Sequence, residues 1–94
     1  MKPSRIQIEQ GWRARGFTCD LWVDPPGQEW IDYVHAVNEL MMVMDGELEL
    51  VMQGRTFRSK LGEEVLIPAH EQHTVRNIGE TTARSLYGYK NQQS

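Results

Sequence analysis

Cysteine is nearly missing from this 94-residue chain, and Cys19 stands alone. A single cysteine excludes an intrachain disulfide and a thiolate metal cluster. Long apolar runs are missing too, and none approaches the roughly 20 residues that cross a bilayer. The opening Met1-Lys2-Pro3-Ser4-Arg5 has one early Lys with no apolar stretch behind it, which is not the pattern of a secretory signal. A cytoplasmic protein with no membrane partner is the expectation. Basic residues are few and scattered: 10 Lys and Arg stand against 13 Asp and Glu, for a net charge of −3. That balance excludes the footprint of a nucleic-acid binder. No nucleophile elbow, phosphate loop or dinucleotide fingerprint occurs. Helical periodicity is also scarce, since no stretch of 11 residues sustains a period of 3.6.

What remains is the composition of a folded domain, 39% apolar and 24% charged. The length fits one domain over residues 1–94. A chain this short buries about 65% of its unfolded surface, so its core is modest. Such domains lean on a disulfide, a metal or a partner chain, and the disulfide is already excluded.

Turn signals recur at short, regular intervals: Pro25-Pro26-Gly27, Asp45-Gly46, Gln53-Gly54, Leu61-Gly62 and Ile78-Gly79. Between them lie short runs rich in Val, Ile, Leu, Met, Thr and aromatics. This spacing predicts an all-β sandwich or barrel. Strands are expected over residues 5–9, with Ile6 and Ile8 on one face, and over 17–24, with Phe17, Cys19, Leu21 and Val23 on one face. Others are expected over 30–35, 39–44, 47–52, 55–60, 65–67, 73–78 and 82–89. Asp45-Gly46 predicts a type I′ hairpin between the strands over 39–44 and 47–52, and Gln53-Gly54 a further one. Asn91-Gln92-Gln93-Ser94 reads as a frayed polar tail.

The stretch Leu40-Met41-Met42-Val43-Met44 is apolar on both faces. A half-wet strand of a small barrel should alternate. Either a loop or the N-terminal strand covers the second face, or a second copy does, and a homodimer is the preferred expectation. Cys19 and the methionines are expected to fill core or interface. Trp12, Trp22 and Trp30 either rim a pocket or pack in the core. Glu47, Glu49 and the pair Glu63-Glu64 are expected to face solvent.

Three residues carry chemistry: His35, Glu39 and His73. His35 and Glu39 flank the tight bend 36–38, which lets an imidazole and a carboxylate converge. His73 opens a later strand and reaches the same point if the barrel closes. Two imidazoles and one carboxylate on one face of an ion make the facial set that leaves positions open for substrate. Iron, manganese, nickel and zinc all accept such donors.

The surrounding frame is more specific. One stretch runs Gly27, five residues, Tyr33, one residue, His35, three residues, Glu39, six residues, Gly46. A second runs Gly62, five residues, Pro68, one residue, His70, two residues, His73, three residues, Asn77. Together, over residues 27–46 and 62–77, they resemble the two motifs of the cupin superfamily. The resemblance implies a jelly-roll, double-stranded β-helix barrel, often dimeric. It also implies a mononuclear divalent metal inside the barrel, with His35, Glu39 and His73 on three of the four usual ligand positions. Tyr33 occupies the fourth, where the family has His, and His70 stands where it usually has Gly.

Three roles are open to Tyr33: phenolate ligand, hydrogen-bond donor to a bound substrate or water, or space filler. Its ordinary pKa near 10 favours the donor role over the ligand. His70 is either an exposed turn residue or a mobile base or extra ligand at the barrel mouth. Tyr33 and His70 are therefore the candidate substrate-binding residues. Asn77 is expected to cap a turn, and Gly46 and Gly62 to hold unusual φ. The functional expectation is a metal-binding cupin that binds or transforms a small organic molecule. The alternatives are a non-catalytic ligand-binding module and a cupin whose metal site has degenerated.

Overall fold

Two apolar residues four apart decide the first element. In the computed structural model, which describes residues 4–91, Arg5–Ala14 form helix α1 rather than the expected strand. Ile6 is 66% exposed, whereas Ile8 and Trp12, one helical turn apart, are buried. The five-residue alternation of Ile6 and Ile8 is thus accidental, and packing of the Ile8–Trp12 stripe overrides it. The helix ends in a Schellman motif. Gly16 takes φ +86, its N–H donates to the Arg13 carbonyl, and the Phe17 N–H donates to that of Trp12 at 2.9 Å. Glycine suits this left-handed position because it has no Cβ. Residues 92–94 of the expected polar tail lie outside the described residues.

Eight strands follow: β1 (Asp20–Asp24), β2 (Glu29–Tyr33), β3 (Glu39–Asp45), β4 (Leu48–Met52), β5 (Arg55–Arg58), β6 (Glu64–Ile67), β7 (His73–Asn77) and β8 (Ala83–Tyr89). They form two antiparallel four-stranded sheets, ordered β1-β8-β3-β6 and β2-β7-β4-β5. All successive strands except β4 and β5 cross between the sheets, the jelly-roll arrangement that the cupin resemblance implies. The Gln53-Gly54 hairpin forms as expected. Met52 pairs with Arg55, and the two loop residues hold φ +54 and +70, the type I′ signature.

The Asp45-Gly46 hairpin does not form. β3 and β4 lie in different sheets, and this turn carries the chain from one to the other. Gly46 alone takes positive φ there, at +84, which rules out a type I′ turn. A side chain at Gly46 would also meet Ala83, with Cβ 2.8 Å from its Cα. Gly62 holds φ +77, as expected of a turn residue.

Alternation along β3 builds two cores. Met41 and Val43 point between the sheets, joining Leu48, Leu50, Val65, Ile67 and Ala83. Leu40 and Met42 point outward and are buried with Leu86, Cys19 and Phe17 beneath Ile8 and Trp12 of α1. The face that the sequence offers to a second copy is therefore covered within the chain, by a helix rather than a strand. Only the start of the expected apolar face on residues 17–24 is covered: Phe17 and Cys19 are buried, but Leu21 and Val23 remain exposed. Glu64 secures the helix. Its carboxylate accepts the Trp12 indole N–H at 3.0 Å and both guanidinium N–H groups of Arg15 at 2.8 and 3.0 Å. The Arg15 hydrogen bonds, more than any other influence, hold its pKa below the ordinary value.

Asn77 works as a turn clamp. Its amide donates to the carbonyls of Asp24 and Thr81, both at 3.0 Å, and its Oδ1 accepts the Gly79 N–H at 2.9 Å. The sandwich interior is apolar at one end, while the other end opens into a cavity of about 250 Å³.

Candidate metal centre

The bend at residues 36–38 carries the chain from the second sheet to the first. His35 and Glu39 therefore face each other across the sandwich rather than across a hairpin. Two bonds pin this bend: the His70 N–H donates to the His35 carbonyl at 2.7 Å, and the Ala69 N–H to Asn38 Oδ1 at 2.7 Å. β7 delivers His73, which is paired in register with Tyr33 on one side and Met52 on the other. The three side chains meet at the inner end of the cavity. Glu39 Oε1 lies 3.4 Å from His35 Nε2 and 3.5 Å from His73 Nε2.

Each group is prepared differently. Glu39 is 7% exposed, and burial pushes its pKa up to about 7. His73 is buried, and its Nδ1 lies 3.0 Å from the Glu71 carbonyl oxygen. The proton on Nδ1 is thereby fixed, and the Nε2 lone pair points at Glu39. His35 is half-buried, and its pKa is lowered first by burial and then by the neighbouring His73. Tyr89 adds a hydroxyl 3.4 Å from His35 Nε2, and burial above all raises its pKa to about 12, so it stays a neutral phenol.

A β-bulge shapes the mouth. Between Trp30↔Val75 and Tyr33↔His73, β2 uses one more residue than β7. Asp32 absorbs the extra residue at φ +57, and its N–H donates to Thr74 Oγ1 at 3.0 Å. As a result Trp30 and Tyr33, three apart, both line the cavity, which simple alternation forbids. Tyr33 is 42% exposed and stacks near His35, with centroids 6.3 Å apart and planes at 22°. His70 is not brought to the site. It is exposed in the turn at φ +66 and lies outside the cavity lining, so only its backbone serves His35.

The three tryptophans divide. Trp12 is core, while Trp22 and Trp30 line the cavity. Both of their indole N–H groups donate to one oxygen, Asp24 Oδ1, at 2.6 and 2.8 Å. Sequence reading misses Asp24, Ser85, Tyr87 and Tyr89, which also face the cavity. A usable signal exists for the last three, because Ser85, Tyr87 and Tyr89 share one parity on β8. Asp24 has no such signal; a carboxylate beside Pro25 reads as a turn residue.

The chemistry of the donors fits a metal ion. Glu39 Oε1 is a buried oxygen with no hydrogen-bond partner among the described residues, a costly arrangement for a lone carboxylate. Two imidazole nitrogens face it, and the ligand atoms of all three residues lie within 4.8 Å of one another. One cation between them would satisfy all three.

Comparison with known proteins follows the same line. The cupin domain family matches residues 20–89. The polyketide synthase CurC of Streptomyces cyaneus is 30% identical over 63 residues, which cover 66% of this chain and 41% of that protein. A Cupin 2 conserved barrel domain protein from Salinispora arenicola superposes with a TM-score of 0.72 at 24% identity, over 81% of this chain and 64% of that one. Oxalate oxidase in complex with the substrate analogue glycolate superposes with a TM-score of 0.74 at 25% identity, over 84% of this chain and 44% of that one. This chain thus spans less than two thirds of each of these proteins. The jelly roll, the two motifs and the family match agree, and the chain belongs to the cupin family.

Proposed function

We propose that this cupin holds one divalent ion, iron, manganese, nickel or zinc, through His35, Glu39 and His73, and that a small organic molecule binds beside it in the cavity. The observation that carries this reading is the orphaned, buried Oε1 of Glu39 facing two imidazole nitrogens. A bound ion would act as a Lewis acid on an oxygen of that molecule. The chain's own residues do the rest. His73 is held in one tautomer by the Glu71 carbonyl, and aromatic side chains wall the cavity leading to the inner end. Tyr33 stands at the mouth as a donor to the bound molecule, the role its exposed position supports. Similarity to oxalate oxidase and to CurC supports an oxygen-bearing organic ligand.

Elemental analysis after reconstitution with each of the four metals tests the reading. One ion per chain in the wild type is expected. Less than a tenth of that is expected in His73→Ala or Glu39→Ala, which lose one of three ligands. Absence of stoichiometric metal in every preparation, or full occupancy in both variants, would overturn it.

A further inference from the structure

Of the seven rings that line the cavity, six form a closed cycle of contacts, and the seventh, His73, meets His35 at 5.2 Å. Trp22 meets Trp30 at 5.1 Å between centroids, Trp30 meets Tyr33 at 5.9 Å, and Tyr33 meets His35 at 6.3 Å. His35 meets Tyr89 at 4.8 Å, Tyr89 meets Tyr87 at 5.8 Å, and Tyr87 returns to Trp22 at 5.6 Å. Five of the six contacts are edge-on, with planes at 60° to 84°. Each edge-to-face contact uses one face of one ring and only the edge of the other, so the cycle leaves aromatic surface turned to the cavity that these rings line.

The polar groups of this collar narrow the guest further. Both indole N–H groups are already taken by Asp24. The lining contains two carboxylates, Asp24 and Glu39, and no Lys or Arg. A free anion would therefore meet carboxylates without a cationic side chain to compensate its lost hydration. Neither carboxylate is open to pair with an organic cation: Asp24 is 2% exposed and its Oδ1 already accepts both indole N–H groups, and Glu39 is 7% exposed at the inner end. The volume, about 250 Å³, lies below the range of drug-sized pockets and suits one or two fused rings.

We propose that the collar is a recognition site for a neutral hydroxylated aromatic ring, a phenol-class molecule, whose ring lies against Trp22, Trp30 and Tyr87 and whose oxygen points toward His35 and Glu39. Asp24 is the positioning residue, since it fixes both indoles through one oxygen. The inference deepens the metal-site reading in the placement of the oxygen, but recognition of the ring needs no metal.

Calorimetric titration of the metal-free protein is the test, with four probes: 2-naphthol, 2-naphthoate, 2-naphthyltrimethylammonium and decahydro-2-naphthol. One 2-naphthol per chain is expected, bound about tenfold more tightly than each of the others, as two or more edge-to-face contacts provide. Trp22→Leu and Trp30→Leu should each weaken it about fivefold and erase its advantage over the saturated analogue. Asp24→Asn, which keeps an acceptor oxygen, should retain that advantage, and Asp24→Leu should lose it. Melting curves confirm that each variant is folded; both tryptophans are partly exposed, so the fold should tolerate their loss. No binding of 2-naphthol, equal binding of the saturated analogue, or tighter binding of either charged probe overturns the inference. If 2-naphthol fails while one metal ion loads per chain, the collar is wrong and the metal centre stands. If 2-naphthol binds while no metal loads, the collar stands and the metal centre fails.

Discussion

Glu39 Oε1 sits 3.5 Å from His73 Nε2, and no hydrogen bond to this oxygen exists among the described residues. This relationship has a measurable cost in the metal-free protein. The Glu39 pKa, raised by burial to about 7 from 4.5, means that the folded chain holds a proton that the unfolded chain has released. Between these values the folded state binds more protons, so stability falls as pH rises. The full difference is roughly 3 kcal/mol, reached above pH 7.

Urea melts of the chelator-treated protein at pH 5, 6, 7 and 8 should show this decline, and Glu39→Gln should remove it. His35, whose pKa is lowered chiefly by burial, contributes with the opposite sign, since its stability is lost as pH falls through 6.5. His35 remains in Glu39→Gln, so the difference between the two proteins isolates the carboxyl group. A ligating ion holds Glu39 ionised and should flatten the wild-type slope. Parallel curves for the two metal-free proteins would refute the assignment.

The helix makes a second prediction. Trp12 is 2% exposed and closes the outer core over Leu40 and Met42. Trp12→Ala should cost about 3–5 kcal/mol, a large share of the ~5–15 kcal/mol that holds a domain together. Arg15→Ala removes an exposed partner of Glu64 and a cation lying 5.8 Å over the Phe17 ring, and should cost about 1 kcal/mol. Ile6→Ala should be near neutral, because its side chain is exposed. Denaturant midpoints of the three variants check the order. A mild Trp12→Ala together with a costly Ile6→Ala would restore the strand that alternation predicts. Light scattering adds a second readout, since the uncovered Leu40 and Met42 should make Trp12→Ala self-associate.

The legible parts of this molecule are those written in local pattern. Turn spacing and period-two runs revealed the strands, and the spacing around His35, Glu39 and His73 revealed the inner site. Parity failed where more than one strand was involved. Asp45-Gly46 has the composition of a hairpin, but sheet partnership is settled by which faces bury most area, and β3 finds β6 and β8 instead of β4. Helix α1 buries only Ile8 and Trp12, too few positions to display a period. The bulge at Asp32 brings Trp30 and Tyr33 to one side, an event with no glycine to announce it. Asp24 gains its meaning from two tryptophans on different strands, which no linear spacing encodes.

Tyr89 supplies a third prediction. In the His35 tautomer with a bare Nε2, its hydroxyl, 3.4 Å away, would donate to the lone pair that a metal ion would take. A hydrogen bond to a neutral partner contributes about 1 kcal/mol net, so Tyr89→Phe should tighten metal binding about threefold to tenfold. Competition against a chromogenic chelator measures this. Weaker binding in Tyr89→Phe would show instead that the hydroxyl supports the bound state.

Tyr33 is the residue on which the sequence left most open, and its position now allows a sharper test. It lies beside His35 with nearly parallel rings, on the strand neighbouring His73, at the place where the motif elsewhere has a histidine. A phenol hydroxyl is a poor ligand at neutral pH, whereas an imidazole at this position offers a lone pair without having to lose a proton. Tyr33→His should therefore add a fourth protein ligand and tighten metal binding by at least about tenfold, the scale on which single partners of a metal site act. Tyr33→Phe should leave metal affinity unchanged if the hydroxyl serves the bound organic molecule. Metal affinities of the three proteins, measured by chelator competition, separate the roles. A loss of affinity in Tyr33→Phe would make the phenol a ligand. An unchanged affinity in Tyr33→His would place position 33 too far from the ion to reach it, leaving three protein ligands and a mouth shaped by aromatic packing alone.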